Sequence, residues 1–125
     1  MDANELASAY LRYFESKRKE DWWAWNDVDD LVRRDAERGW EITRVLVNKS
    51  SSDEALAYVA AGPLEDLLKR HGLAVIDRID NESEINDRLR VALSGVYLDP
   101  SYLVFDRWYA LMCKYGFAKG KRAGL

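Results

Sequence analysis

The chain has 125 residues, of which 48% are hydrophobic and 33% charged, and its formal net charge is −3. This length and composition are typical of one soluble globular domain and exclude a disordered chain. All 22 acidic residues lie within the first 106 positions, whereas five cations and no acid follow Asp106. An acidic body with a short basic end lacks the broad basic face of a duplex-DNA binder.

Helical periodicity runs through nearly the whole chain, and no segment alternates strictly enough to predict a strand. The first helix is predicted from about Ala3 to Lys19, because its apolar positions recur at helical spacing and cations follow at its end. The second helix is predicted from Asp21, a favourable N-cap, to about Glu37.

A third helix is predicted after Arg38-Gly39, and a polar linker over residues 48–52 separates it from a short fourth helix. Ser51, with Glu54 three residues later, has the spacing of a capping box for the fourth helix. Ser52 and Asp53 are alternative caps, and the sequence leaves the choice open.

The segment Ala60–Leu68 is predicted to end the fourth helix and to begin the fifth within two residues. Gly62 suits a left-handed residue that closes a helix, and Pro63 suits the first position of a new one. The acids Glu65 and Asp66 then lie in the first turn, where the helix dipole favours negative charge. We therefore expect this junction to hold two helices at a fixed angle.

Three further helices are predicted, which completes a compact all-α array of seven or eight short antiparallel helices, with a solenoid-like stacking as an alternative. We expect a single domain over residues 1–118 and a flexible basic tail over residues 119–125. The expected boundaries are His71-Gly72 for the end of the fifth helix, Ala74–Glu82 for the sixth, Ser83–Gly95 for the seventh and Asp99–Gly116 for the eighth.

The single cysteine, Cys113, excludes an internal disulfide and indicates a reducing compartment. It has no histidine nearby, so we expect a small buried apolar side chain instead of a nucleophile. Residues 1–5 are acidic and lack the apolar core of a secretion signal, and no apolar run approaches the roughly 20 residues that cross a membrane. The prediction is a cytoplasmic protein with no membrane partner.

Tryptophans at the start of the second helix are the best binding candidates. Trp22, Trp23 and Trp25 cannot all face inward, because successive helical residues are about 100° apart. At least one of them is expected to be partly exposed, and with Trp40 it would form an anchor for a protein partner. The alternative is that the first and third helices cover them all.

A second set of binding candidates surrounds the predicted turn between the fifth and sixth helices. Arg78 is expected to reach back to Glu65 or Asp66 and to fix the angle between these helices through an ion pair. We predict that these three residues complete an aromatic and acidic surface with the tryptophans.

His71 is the only histidine, and it restricts the catalytic possibilities. A small hydrolase or metal-dependent enzyme would combine it with Glu65, Asp66 or Asp77, but no nucleophile or ligand spacing accompanies them. A helix-capping role for His71 is favoured. Because GxGxxG, GxxxxGK[ST], HExxH and CxxC are all absent, we predict neither a cofactor nor a metal.

The most specific motif is Ala61-Gly62-Pro63-Leu64-Glu65-Asp66-Leu67-Leu68, followed by His71-Gly72 and Ile76-Asp77-Arg78-Ile79. It is preceded by Asp21-Trp22-Trp23-Ala24-Trp25, Gly39-Trp40-Glu41-Ile42 and Asp53-Glu54-Ala55-Leu56-Ala57. Over roughly Asp21 to Tyr97 the chain thereby resembles a group of small bacterial proteins classed as a domain of unknown function. The resemblance implies an all-helical fold and supplies no activity, cofactor or catalytic residue.

The sequence therefore predicts a bacterial cytoplasmic protein that binds an unidentified protein partner without catalysis. The acidic body favours a basic partner, and an immunity- or antitoxin-like role is the most specific version. The enzyme described above is the first alternative. The second is an RNA- or ribosome-associated accessory protein that uses the basic tail, although a nucleic-acid partner is not favoured.

Overall fold

The computed structural model describes residues 2–117, and these fold into seven α-helices without a β-strand, which confirms the all-α prediction. A 3-10 turn, Lys19–Asp21, precedes the second helix, and a π-helical turn, Ala60–Leu64, joins the fourth to the fifth. The predicted tail, residues 119–125, lies outside the described residues. The helices are α1 (Ala3–Ser16), α2 (Trp22–Arg34), α3 (Ala36–Lys49), α4 (Asp53–Val59), α5 (Glu65–Ser83), α6 (Asp87–Leu93) and α7 (Phe105–Lys114).

Helix α3 lies at the centre of the fold and packs against α1, α2, α5 and α6. Gly39 is buried within α3 and does not precede it, so the predicted boundary at Arg38-Gly39 is wrong. A Cβ atom at Gly39 would lie 3.0 Å from Leu67 Cδ1 and 3.1 Å from Val32 Cα. The glycine therefore permits a close approach of α3 to both α2 and α5.

The predicted break at Gly62-Pro63 is also wrong, because the backbone stays helical from α4 into α5. The flanking residues Val59 and Glu65 have right-handed helical angles, and Gly62 does not have a positive φ. Proline lacks an N–H donor, and its ring would clash with a carbonyl one α-helical turn earlier. The wider π turn, in which the Glu65 N–H donates to the Ala60 carbonyl, accommodates Pro63 without ending the helix.

The predicted helix end at His71-Gly72 is a kink instead. Helix α5 continues to Ser83, with non-helical angles at His71 (φ −132°, ψ 21°). Gly72 does not have a positive φ, so it is not the left-handed C-terminal residue that the sequence suggested. It is buried where Val104 approaches α5, and a Cβ atom there would lie 2.7 Å from Val104 Cγ2 and nearer to the other side-chain carbons of Val104.

Capping residues determine where several of the other helices begin or end. Helix α1 stops at Ser16, because Lys17 adopts a left-handed conformation (φ 57°) and its N–H donates to the Tyr13 carbonyl. Ser52 is the N-cap of α4, and its Oγ accepts the Ala55 N–H at 3.1 Å. The capping box predicted at Ser51 is therefore wrong, and Asp53 is excluded as the cap because it is the first residue of the helix itself.

Other predicted boundaries shift by several residues. Helix α2 ends at Arg34, since Asp35 is extended and caps α3 by accepting the Arg38 N–H. Helix α6 begins after its cap Asn86, not near Ser83, which is buried at the end of α5.

Helix α7 begins at Phe105, because residues 100–104 form turns instead of the predicted start of a helix. The cysteine near its end, Cys113, is exposed, which corrects the prediction that it is buried.

Candidate functional site

The first turn of α2 presents two tryptophans to solvent. Trp22 has 47% and Trp23 has 36% of its surface exposed, which confirms the expectation that at least one of these tryptophans is partly exposed. The Trp22 ring stacks on the partly buried Trp25 ring, with centroids 6.3 Å apart and planes 17° from parallel. Trp40 is buried in the core and does not contribute to this surface.

Trp23 forms one wall of a groove between α1 and α2, which we call the indole groove. Its volume is about 390 Å³, and the opposite wall consists of α1 side chains. Ser8 and Ala9 are small, so the indole of Trp23 faces open space where larger residues would fill the gap. The groove is lined by Asn4, Glu5, Ser8, Ala9, Arg12 and Trp23.

One acidic and one basic side chain, Glu5 and Arg12, line the indole groove, and among the described residues only the acid is unpaired. The guanidinium of Arg12 is engaged by Asp21, with Nη2 and Oδ1 3.3 Å apart. Glu5 in the groove and Asp27, one turn beyond Trp23, form no ion pair with any residue in 2–117. Lys19, in the 3-10 turn that precedes α2, also forms no ion pair with a residue in 2–117. Inside the groove a partner would therefore meet the Trp23 indole, small or neutral polar side chains, an unpaired carboxylate and a guanidinium that is already paired with Asp21.

A second, smaller cavity lies beside the π turn and brings Trp25 and Asp66 together, two of the predicted site residues. Its volume is about 30 Å³, which is enough for an ordered water molecule. Burial raises the pKa of Asp66, and the charge of Asp29 adds to the effect, while Arg70 and Lys69 oppose it.

Two tyrosines that sequence reasoning missed border this region. Tyr10 from α1 is buried, and its ring centroid lies 5.6 Å from that of Tyr58. Burial, followed by the neighbouring Tyr58, raises the pKa of Tyr10. In the sequence, Tyr10 is one more apolar position of the first helix, and nothing in its neighbours marks an aromatic contact with a residue 48 positions later.

The acidic residues after the π turn do not form the predicted cluster with Arg78. Glu65 accepts the Tyr97 N–H at 2.9 Å and pairs with Lys69 at 3.2 Å, so it holds the connection that follows α6. Arg78 pairs with Glu37 of α3, with Nη1 and Oε2 2.6 Å apart. The predicted pairing is wrong because α5 is one helix, along which Arg78 lies about 18 Å beyond Asp66 at 1.5 Å per residue.

The structure does not assemble the proposed catalytic residues either. His71 Nε2 lies 3.2 Å from the Arg33 carbonyl oxygen, and since a carbonyl only accepts, this nitrogen carries the proton. Asp77 is paired with Arg107, and within residues 2–117 no carboxylate hydrogen-bonds to His71. The same described residues contain no group of three or more His, Cys, Asp or Glu side chains placed to hold a metal ion.

Comparisons with known proteins identify a family without assigning an activity. Residues 13–107 match a family of unknown function (DUF6869). A search of curated proteins and a search of solved structures each found no match. None of the described helices combines the length and the apolar character needed to cross a membrane.

Proposed function

The chain belongs to the DUF6869 family of unknown function, and from its surface we propose that it is a non-catalytic protein-binding module whose anchor is the indole groove. The observation that carries this proposal is the pair of neighbouring exposed indoles, Trp22 and Trp23, beside an open groove. Tryptophan is enriched among the residues that dominate binding energy at protein interfaces.

The energetics of exposed indoles support an anchoring role. Each large aromatic side chain buries roughly 150–250 Å² when covered, and apolar area contributes about 25 cal/mol per Å² removed from water. Trp22 is already stacked on Trp25, so it has little rotational freedom left to lose when a partner covers it. A preorganised pair of indoles is therefore suited to binding and adds little to the stability of the isolated chain.

The partner that fits this surface is a protein presenting a basic side chain. A guanidinium or ammonium group can lie over the face of an exposed indole, and Glu5 provides an unpaired carboxylate in the same groove. An immunity- or antitoxin-like protein that covers a basic toxin is the most specific form of the proposal. A bacterial cytoplasmic location, supported by the single cysteine and the acidic body, completes it.

Affinity capture from a bacterial lysate, with mass spectrometry of the retained proteins, tests this proposal. The wild-type chain is compared with Trp23→Ala and with a matched control, Ile85→Ala, which removes an exposed apolar side chain outside the groove. We expect a protein that the wild type and the control retain and that Trp23→Ala loses. Retention by all three chains, or by none, would contradict the proposal.

Calorimetry and stopped-flow kinetics with the purified partner then measure the affinity and the association rate that the groove provides. Trp23→Ala is expected to weaken binding by at least about fivefold, as for an interface residue worth more than about 1 kcal/mol. Glu5→Gln is expected to slow association and to reduce its dependence on salt, because it removes an unpaired carboxylate. Unchanged kinetics in Glu5→Gln would remove the argument for a basic partner while leaving the indole anchor in place.

A further inference from the structure

Three aromatic rings from α1 and α4 surround the ammonium group of Lys17. The rings belong to Tyr13, Phe14 and Tyr58, all of them partly buried, and we call them the aromatic cage. Lys17 Nζ lies over the face of each ring, at 5.6, 5.2 and 5.0 Å from the respective centroids. The aromatic cage shares no residue with the lining of the indole groove.

Packing between α1 and α4 holds the aromatic cage in place. Tyr13 and Phe14 precede Lys17 by four and three positions, the spacing at which side chains are neighbours on a helix surface. Tyr58 comes from α4, and its ring centroid lies 4.7 Å from that of Phe14 and 5.6 Å from that of the buried Tyr10. The rings therefore need no ligand to bring them together.

Lys17 is held at the aromatic cage by weak contacts. Its side chain is exposed, and its ammonium forms no ion pair with a residue in 2–117. Contact of a cation with partly exposed ring faces strengthens an equilibrium constant only about twofold to fivefold, and fixing the lysine stem costs side-chain entropy that offsets part of this gain. A ligand with the same charge and a better fit can therefore displace Lys17.

The distances from Lys17 Nζ to the rings are longer than a primary ammonium group needs. A methyl carbon touches a ring at about 3.5–4.0 Å, and the nitrogen that carries it lies at most about 1.5 Å further away. A nitrogen placed 5.0 to 5.6 Å from three centroids therefore leaves room for a methyl group on the side of each ring. We infer that the aromatic cage binds a quaternary ammonium group of the choline type, and that this ligand displaces Lys17.

The chemistry of the aromatic cage selects both the charge and the methyl groups of this ligand. The negative faces of the rings attract a cation, and methyl groups add apolar contact that a compact, strongly hydrated primary ammonium lacks. Glu54 lies one turn before Tyr58 on the same face of α4, and its carboxylate forms no ion pair within the described range. The inference is independent of the proposed protein partner, which engages the indole groove.

Titration followed by NMR tests the inference with choline, its uncharged tert-butyl analogue and ethanolamine. Choline is expected to give saturable shifts of the ring signals of Tyr13, Phe14 and Tyr58, and its own methyl signal should move upfield. The tert-butyl analogue lacks the charge and ethanolamine lacks the methyl groups, so each is expected to bind at least about fivefold more weakly. Equal binding of choline and either analogue, or shifts centred elsewhere, would overturn the inference.

A short peptide that contains one trimethyllysine is titrated in the same way. The tighter of the two trimethylated ligands shows whether the group belongs to a small molecule or to a protein side chain. Absence of saturation with both of them would overturn the inference.

Two ring substitutions locate the interaction. Phe14→Leu keeps an apolar side chain but removes one ring face, and it is expected to weaken choline binding about fivefold. Tyr102→Leu is the matched control, because the Tyr102 ring lies 5.6 Å from the ammonium of Lys69 outside the aromatic cage. This control should leave choline binding unchanged, and equal effects of the two substitutions would overturn the site.

Lys17→Asn tests the displacement. Asparagine tolerates the left-handed conformation at this position, where φ is 57°, and carries no cation to compete for the rings. Choline is therefore expected to bind about twofold to fivefold more tightly to Lys17→Asn. Lys19→Asn removes the same charge from the neighbouring 3-10 turn and should change binding by less than about twofold. Unchanged or weaker binding in Lys17→Asn, or an equal gain in Lys19→Asn, would overturn the inference.

Discussion

Replacement of Gly72 by alanine probes the contact that holds α5 against the turn before α7. The new methyl group would overlap the Val104 side chain, with one carbon at 2.7 Å and two others nearer. Val104 is β-branched and buried, so its rotation about χ1 is restricted and cannot easily relieve the overlap. We therefore expect Gly72→Ala to destabilise the fold.

The magnitude follows from two opposing contributions. Overpacking of a buried contact costs roughly 1–3 kcal/mol. Replacing glycine by alanine in a helix returns about 0.5–1 kcal/mol through reduced conformational entropy of the unfolded chain. The net expectation for Gly72→Ala is a loss of about 1–2 kcal/mol, or a decrease in Tm of roughly 3–8 °C for a chain of this length.

Urea denaturation of a double-mutant cycle with Val104→Gly provides the assay. Val104→Gly removes the Cβ and both Cγ atoms that the new methyl group meets, so Gly72→Ala should be neutral or stabilising in that background, with a coupling of about 1–3 kcal/mol. Gly62→Ala is the matched control, because the nearest atom to its Cβ is the Tyr10 hydroxyl at 3.4 Å, an ordinary contact. Additive effects in the cycle would refute the steric explanation.

Two further predictions concern a buried carboxylate and a helix cap. Burial and the charge of Asp29 raise the pKa of Asp66 above its ordinary value of about 3.9, so the folded state binds the proton more tightly and loses stability as Asp66 ionises. Asp66→Asn should raise Tm at about pH 7 and have little effect at about pH 3, whereas an equal increase at both values would contradict this origin. Ser52→Ala should lower the free energy of unfolding by about 1 kcal/mol, because the Ala55 N–H loses its acceptor. Ser51→Ala should change it by less than about 0.5 kcal/mol in the same urea assay, and the reverse order would show that Ser51 is the cap.

Local sequence patterns predicted the helices better than the connections between them. The stripe of apolar residues in α1 and the tryptophan-rich turn of α2 were recognisable because helical periodicity depends only on neighbours within a few positions. The exposure of Trp22 or Trp23 followed from the same local geometry, since adjacent indoles on one helix cannot share a face. These inferences needed no knowledge of distant residues.

The two helix ends predicted at glycines were wrong for the same reason. Gly62 beside proline and Gly72 after histidine both match the pattern of a helix end, yet neither glycine has a positive φ. Gly62 lies in a π turn that accommodates Pro63, and Gly72 makes room for Val104, a residue 32 positions later. A glycine that permits a turn and a glycine that permits a close approach are identical in sequence.

For the candidate site residues, too, local sequence determined some properties and tertiary packing determined the others. The sequence alone established an all-helical chain with an acidic body and an indole that the core could not fully cover, since composition and periodicity suffice for these properties. The folded chain determined that Trp23 lies opposite α1, that Trp40 is buried, and that Arg78 pairs with Glu37 instead of Asp66. Contacts between helices depend on which surfaces meet in three dimensions, and burial selects those surfaces only when all the helices pack together.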